Sequence, residues 1–222
     1  VEIIREILKR EKPLTYDGAQ YTLPLPGGTG LGKPVKSITH PLRADLPIYL
    51  AAEGPKNVAL TAEIADGWLA IYYSPKVDDF YRSALAEGFA RAGARRSFDD
   101  FEVAATVPVI FHDDVEEAAN FLRPVLALYI GGMGAREVNF HANVYARMGY
   151  EKEVAAIQDL YLDGKKDEAA ALVPQSLIEA TSLIGPKEKV RDDLARWEES
   201  VVTKILLYGD ANTLRTMAEI AL

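Results

Sequence analysis

The amino-acid sequence predicts an α/β fold of parallel strand-helix units, roughly four of them and so about half of a (β/α)8 barrel, with a helical insertion. Three observations lead there. Short apolar runs at residues 48–52, 67–73, 101–111 and 204–208 read as buried strands, and a stretch of helical period follows each one. Strands apolar on both faces, alternating with helices, imply a parallel sheet with right-handed crossovers. Four units cannot close a barrel that needs eight.

The elements follow in order. Ile3, Ile4, Ile7 and Leu8 mark one face of a first helix, which opens on Val1 with no capping residue before it. The expectation is that this is the later part of a longer polypeptide. Residues 13–36 carry prolines at 13, 24, 26 and 34 and no sustained helical period, so they read as a long surface excursion. The run at 48–52 ends at Gly54 and Pro55, a cap and a first helical residue, and the helix runs to about Ala65. After the second run, Ser74 caps and Pro75 starts another helix. The third run, rich in Val and Thr, leads to a helix capped by Asp113 or Asp114 and reaching about Tyr129. Residues 131–183 show helical segments and loops without a clear strand, and read as an insertion within a single domain covering 1–222. A helix from Pro186 to about Ser200, the fourth strand and a closing helix from Ala211 complete the chain.

Composition excludes several functions. There is no cysteine among 222 residues, which rules out disulfides, thiolate metal sites and cysteine nucleophiles and points to a cytoplasmic setting. A formal charge of −8 argues against nucleic acid or an anionic membrane as partner, since both reward a basic surface. No apolar stretch is long enough to span a bilayer. The three histidines, His40, His112 and His141, lack ligand spacing, so no metal site is expected.

Two glycine-rich stretches invite a phosphate. Gly27, Gly32 and Lys33 match G-x-x-x-x-G-K, but Pro34 stands where a hydroxyl should be and no strand precedes the loop; it reads as a flexible loop. "LPIYLAAEGPKN", residues 46–57, has a strand, small residues and a helix start whose N–H groups at Gly54, Lys56 and Asn57 can face an anion. "GPKEKV" at Gly185 repeats the Gly-Pro-Lys without a convincing strand before it. The motif alone is therefore compatible with mere helix punctuation.

"PIYLAAEGPKNVALTAEIADGWLAIYYSP" and the upstream "EIIREILKREKPLTYDGAQYTLP" resemble the luciferase-like monooxygenase superfamily. "LALYIGGMG" and "GYEKEVAAIQDLYLDGKKDEAAALVP" resemble its branch that uses deazaflavin coenzyme F420, close to actinobacterial oxidoreductases and methylene-tetrahydromethanopterin reductases. The resemblance implies a (β/α)8 TIM-type barrel of which these are the last four units, and hydride transfer between F420 and a small organic substrate, in a homodimer. An FMN-dependent monooxygenase and a non-catalytic flavin-binding homologue are the alternatives. It also implies that Ala52, Glu53, Gly54 and Asn57 bind the cofactor phosphate and that Tyr72, Tyr73, Ser74 and Lys76 line the pocket. A carboxylate would repel a phosphate, so the Glu53 side chain is expected to turn toward a partner in the barrel. The family's acid and base groups lie on earlier strands, so no catalytic residue carries over.

Overall fold

The computed structural model describes residues 1–221. Residues 1–48 form one compact unit and the chain from Tyr49 onward forms another. In the first, helix α1 (Glu2–Lys9) ends at Arg10 in the left-handed conformation. The excursion that follows is tied down by an antiparallel hairpin, β1 (Tyr16–Asp17) with β2 (Thr22–Leu23), and by a bridge between the buried Leu14 and Val35. Hairpin pairing this short has too few residues to show an alternating pattern, so the sequence reads it as a loop.

The second unit is the parallel β/α body. Strand β3 (Tyr49–Ala51) leads into α2 (Pro55–Ile64), β4 (Gly67–Ala70) and, after one 3₁₀ turn at Pro75–Val77, α3 (Asp78–Phe89). Strand β5 (Glu102–Phe111) is central. It pairs in parallel with β4 on one side, while its residues Ala104–Pro108 run beside a later strand; that ladder stops at Pro108, which has no N–H to donate. Helices α4 (Val115–Asn120) and α5 (Arg123–Gly131) stand where one helix to about Tyr129 was expected. Pro124 is the reason: its ring clashes with a carbonyl one turn back and it lacks the donor that would continue the ladder. Asp114 is the cap, accepting from the N–H groups of Glu116 and Glu117.

The insertion holds α6 (Phe140–Arg147), α7 (Glu151–Leu162), α8 (Lys166–Ala171) and α9 (Gln175–Thr181). It closes on an element the sequence reading missed. Residues Leu183–Gly185 form a fifth parallel strand, β6, paired with Val109–Phe111 at the end of β5. Three residues leave no period to detect, and Ile178, Thr181 and Leu183 sit in what looks like a continuing helix. Gly185 ends β6 with φ +118, and a Cβ there would lie 3.0 Å from Lys189 and 3.1 Å from Val115. Helix α10 (Lys187–Glu198), β7 (Lys204–Tyr208) and α11 (Ala211–Ala221) complete the unit.

Two apolar cores result. On one face of the sheet Trp68, Val103, Ala105, Val107 and Leu183 pack with helical residues such as Leu85, Leu194 and Trp197. The helical insertion builds the other around Leu126, Ile130, Tyr145, Ile157, Leu177 and Ile184. Of the strands that read as apolar on both faces, β4 and β7 are covered on one. Leu69, Leu206 and Tyr208, on the opposite face, are 37%, 41% and 69% exposed.

Candidate functional site

The turn after β3 is built as the sequence suggested. Gly54 is extended and Pro55 opens α2 at its first helical position. The two carbonyls preceding the helix are drawn away from its start by side chains. Trp68 Nε1 donates to Ala52 O at 2.8 Å, and Arg147 Nη2 donates to Glu53 O at 3.0 Å. Both acceptors are thus held toward the protein, which leaves N–H groups as the polar atoms at the helix start. Asn57 is a correction, because its N–H is already used by Gly54 O at 3.1 Å, as is that of Val58 at 2.9 Å. Among the described residues Gly54 and Lys56 N–H remain without a partner. A Cβ on Gly54 would meet nothing within 4 Å, so open space lies over the turn.

Glu53 does turn its side chain into the protein. Its carboxylate, 8% exposed, lies 2.8 Å from His141 Nδ1. The imidazole is off axis for a linear hydrogen bond, and Glu53 Oε2 is buried with no partner. The partner comes from α6 of the insertion, not from a barrel strand. Burial pushes the Glu53 carboxyl up to about 7 against the pull of Arg147, and burial draws His141 below its ordinary value. Arg147 also lies 3.5 Å from Tyr81 Oη and over the Phe80 ring at 5.1 Å.

The remaining candidates fall into three environments. Tyr72 sits at φ +53, an uncommon place for a tyrosine, and its ring packs at 5.0 Å on Tyr129, 5.3 Å on Tyr145 and 6.1 Å on His141. Tyr73 is 1% exposed and belongs to the sheet core, with its hydroxyl on Asp78, so it lines no open wall. Ser74 is fully buried and caps the 3₁₀ turn by accepting from Lys76 N at 3.2 Å. Lys76 is exposed, with its ammonium 4.7 Å from the Tyr150 ring. Ser74 and Lys76 border a cleft of about 480 Å³, together with Tyr150, Ser176 and Arg196.

Sequence reasoning missed His141 and Arg147. Arg147 reaches a carbonyl 94 residues away in the chain, and no local pattern signals such a contact. The second Gly-Pro-Lys also changes meaning, because β6 precedes it and both copies therefore follow a parallel strand. What separates them is space: a Cβ at Gly185 would meet Lys189 and Val115 at 3.0 and 3.1 Å, whereas one at Gly54 would meet nothing within 4 Å. No group of three or more metal-ligating side chains exists among the described residues.

Comparison with known proteins identifies the family and the fold. The family of luciferase-like monooxygenases matches residues 1–204. The chain is 51% identical over 221 residues to a Mycobacterium tuberculosis protein named as a coenzyme F420-dependent oxidoreductase, covering 98% of this chain and 64% of that one. It is 28% identical over 207 residues to the 5,10-methylenetetrahydromethanopterin reductase of Archaeoglobus fulgidus, covering 93% of this chain and 57% of that enzyme. Among solved structures, the coenzyme F420 dependent tetrahydromethanopterin reductase from Methanopyrus kandleri superposes with a TM-score of 0.72 at 25% identity, over 99% of this chain and 58% of that one. The chain thus spans about three-fifths of the length of each of these three relatives.

Proposed function

Because the chain belongs to the luciferase-like monooxygenase family, we propose that it forms part of an oxidoreductase that moves a hydride between deazaflavin coenzyme F420 and a small organic substrate. One observation carries the reading: the turn at 52–57 presents two unpartnered N–H groups at the start of a ten-residue helix, under open space, with both preceding carbonyls withdrawn. Such a turn favours a phosphate, because backbone donors and the positive end of the helix dipole act together. The residues therefore fit a phosphate-bearing cofactor, and the F420 in the names of the relatives supports its identity.

When bound, the deazaflavin supplies the ring carbon that gives or takes a hydride. The tasks of this chain are binding and orientation. Gly54 and Lys56 N–H would hold the phosphate, and Trp68 and Arg147 keep the competing carbonyls away. Tyr72 fixes the end of the β4 segment against α5 and α6 through its aromatic contacts. The cleft beside Ser74 and Lys76 brings together the cations Lys76 and Arg196, the carboxylates Asp78, Glu179 and Glu199 and the hydroxyls of Tyr150 and Ser176, a mixed lining for a polar part of the substrate or cofactor. The reading extends to a homodimer acting in the cytoplasm, with no nucleic acid or membrane partner, in keeping with the net charge of −8 and with the lack of any described helix long and apolar enough to cross a membrane.

Titration of the full-length protein with F420 and, separately, with FMN tests the proposal, followed by the change in cofactor fluorescence. Saturable binding of F420 at micromolar concentration is expected. Binding of FMN without F420 would refute the choice of cofactor, and F420 binding with no turnover of any ketone, alcohol or pterin offered would favour a non-catalytic homologue.

A further inference from the structure

The acid in this turn stands next to the donors proposed to receive an anion. Glu53 directly precedes Gly54, its side chain is 8% exposed, and its Oε2 is buried without a partner. A permanent carboxylate at that position would oppose a phosphate, yet nothing around it forms an aligned ion pair that would cancel its charge. The groups facing it are His141, Arg147 and Tyr145 from α6, Tyr72 from the segment after β4 and Tyr81 from α3. Arg147 spends one guanidinium nitrogen on the Glu53 carbonyl and leaves its buried Nε unpartnered. The Tyr145 hydroxyl is likewise buried without a partner.

We propose that Glu53 is a proton-coupled positioning residue of the turn: an anion that binds at the Gly54 and Lys56 N–H groups is bound together with one proton, which the Glu53 carboxyl takes up with its side chain turned into the protein beside His141. This rests on the anion-binding reading given above. The proton comes from the solvent and goes to a carboxylate oxygen, and no bond in the ligand changes. The Glu53 carboxyl titrates at about 7 and the imidazole below its ordinary value, so the exchange falls within the working pH range. Anion affinity should then weaken as pH rises, because above that point the proton must be drawn from solution at increasing cost.

Isothermal titration of the full-length protein and its Glu53→Gln variant, at pH 6 and pH 8 and in two buffers of different ionisation heat, counts the protons taken up. The ligands are F420, FMN and inorganic phosphate. Comparison with the variant subtracts ionisation of the ligand itself. The wild-type affinity should fall by up to about tenfold relative to the variant between pH 6 and pH 8, with proton uptake lost in Glu53→Gln. F420 binding with parallel pH profiles and equal proton counts overturns the coupling and leaves the cofactor reading intact. Coupling seen with FMN or phosphate, but no F420 binding, supports the inference and overturns the cofactor; no binding of any of the three overturns both. Should Glu53→Gln fail to fold, the infrared difference spectrum of the wild type on adding the ligand that binds decides: a gained protonated-carboxyl band supports the coupling, and its absence overturns it.

Discussion

Replacing Glu53 by Gln also makes a prediction about stability that needs no ligand. A carboxyl that titrates at 4.5 when unfolded and at about 7 when folded has its charged form disfavoured by the fold. Its contribution is fully present below pH 4.5 and is lost as pH rises through about 7. Each unit is worth about 1.4 kcal/mol, so the wild type should forgo up to ~3 kcal/mol on the alkaline side. Gln fills the same volume, carries no charge and leaves the Arg147 bond to the backbone intact. The variant should therefore match the wild type near pH 4.5 and exceed it by ~2 to 3 kcal/mol at pH 8.5, read by urea unfolding of the full chain at four pH values. His141, shifted down by burial, loses stability as pH falls below its ordinary value, and since it touches residue 53 the comparison is read on the alkaline side, where the imidazole is neutral in both proteins. A difference that is flat with pH, or a wild type more stable than the variant at pH 8.5, would refute the burial argument.

Other consequences follow from the same geometry. Gly54→Asp should weaken F420 binding by about tenfold or more while leaving thermal stability equal or slightly raised, because the new carboxylate takes the free N–H groups as a helix cap; unchanged affinity would remove the phosphate assignment. Trp68→Phe deletes the donor to a buried carbonyl and should cost ~1 to 3 kcal/mol in chemical denaturation, with a weaker cofactor affinity alongside. Gly185→Ala should lower the melting temperature through a cost of ~1 to 3 kcal/mol, since φ +118 is strained for any side chain and Lys189 and Val115 crowd the new methyl; an unshifted melting curve would show that the end of β6 is not held as described.

Much of the fold is written in local pattern. The parallel β/α order, the Gly54-Pro55 helix start, the Ser74 and Asp114 caps and the family itself are legible because each depends on residues within a few positions of one another. Where the signal was too short it failed: β6 has three residues, and the break between α4 and α5 was passed over although Pro124 marks it. The site divides in the same way. Chain-local chemistry placed backbone donors at residues 54 and 56, but pairing within the first turn removed Asn57 from that set. Tyr73, adjacent to Tyr72, went to the other core because both lie beyond the end of β4, where the left-handed backbone at Tyr72 turns the chain.

What only the tertiary structure decided is the surrounding of Glu53. The sequence by itself determined that an acid precedes the helix and that its charge is unwelcome beside an anion. That the acid meets His141, that Arg147 holds its carbonyl and that its carboxyl titrates near neutrality all depend on helix α6 folding back from the insertion onto the turn. Desolvation and contact are properties of groups brought together in space, and residues some ninety positions apart carry no local pattern from which that meeting could be read.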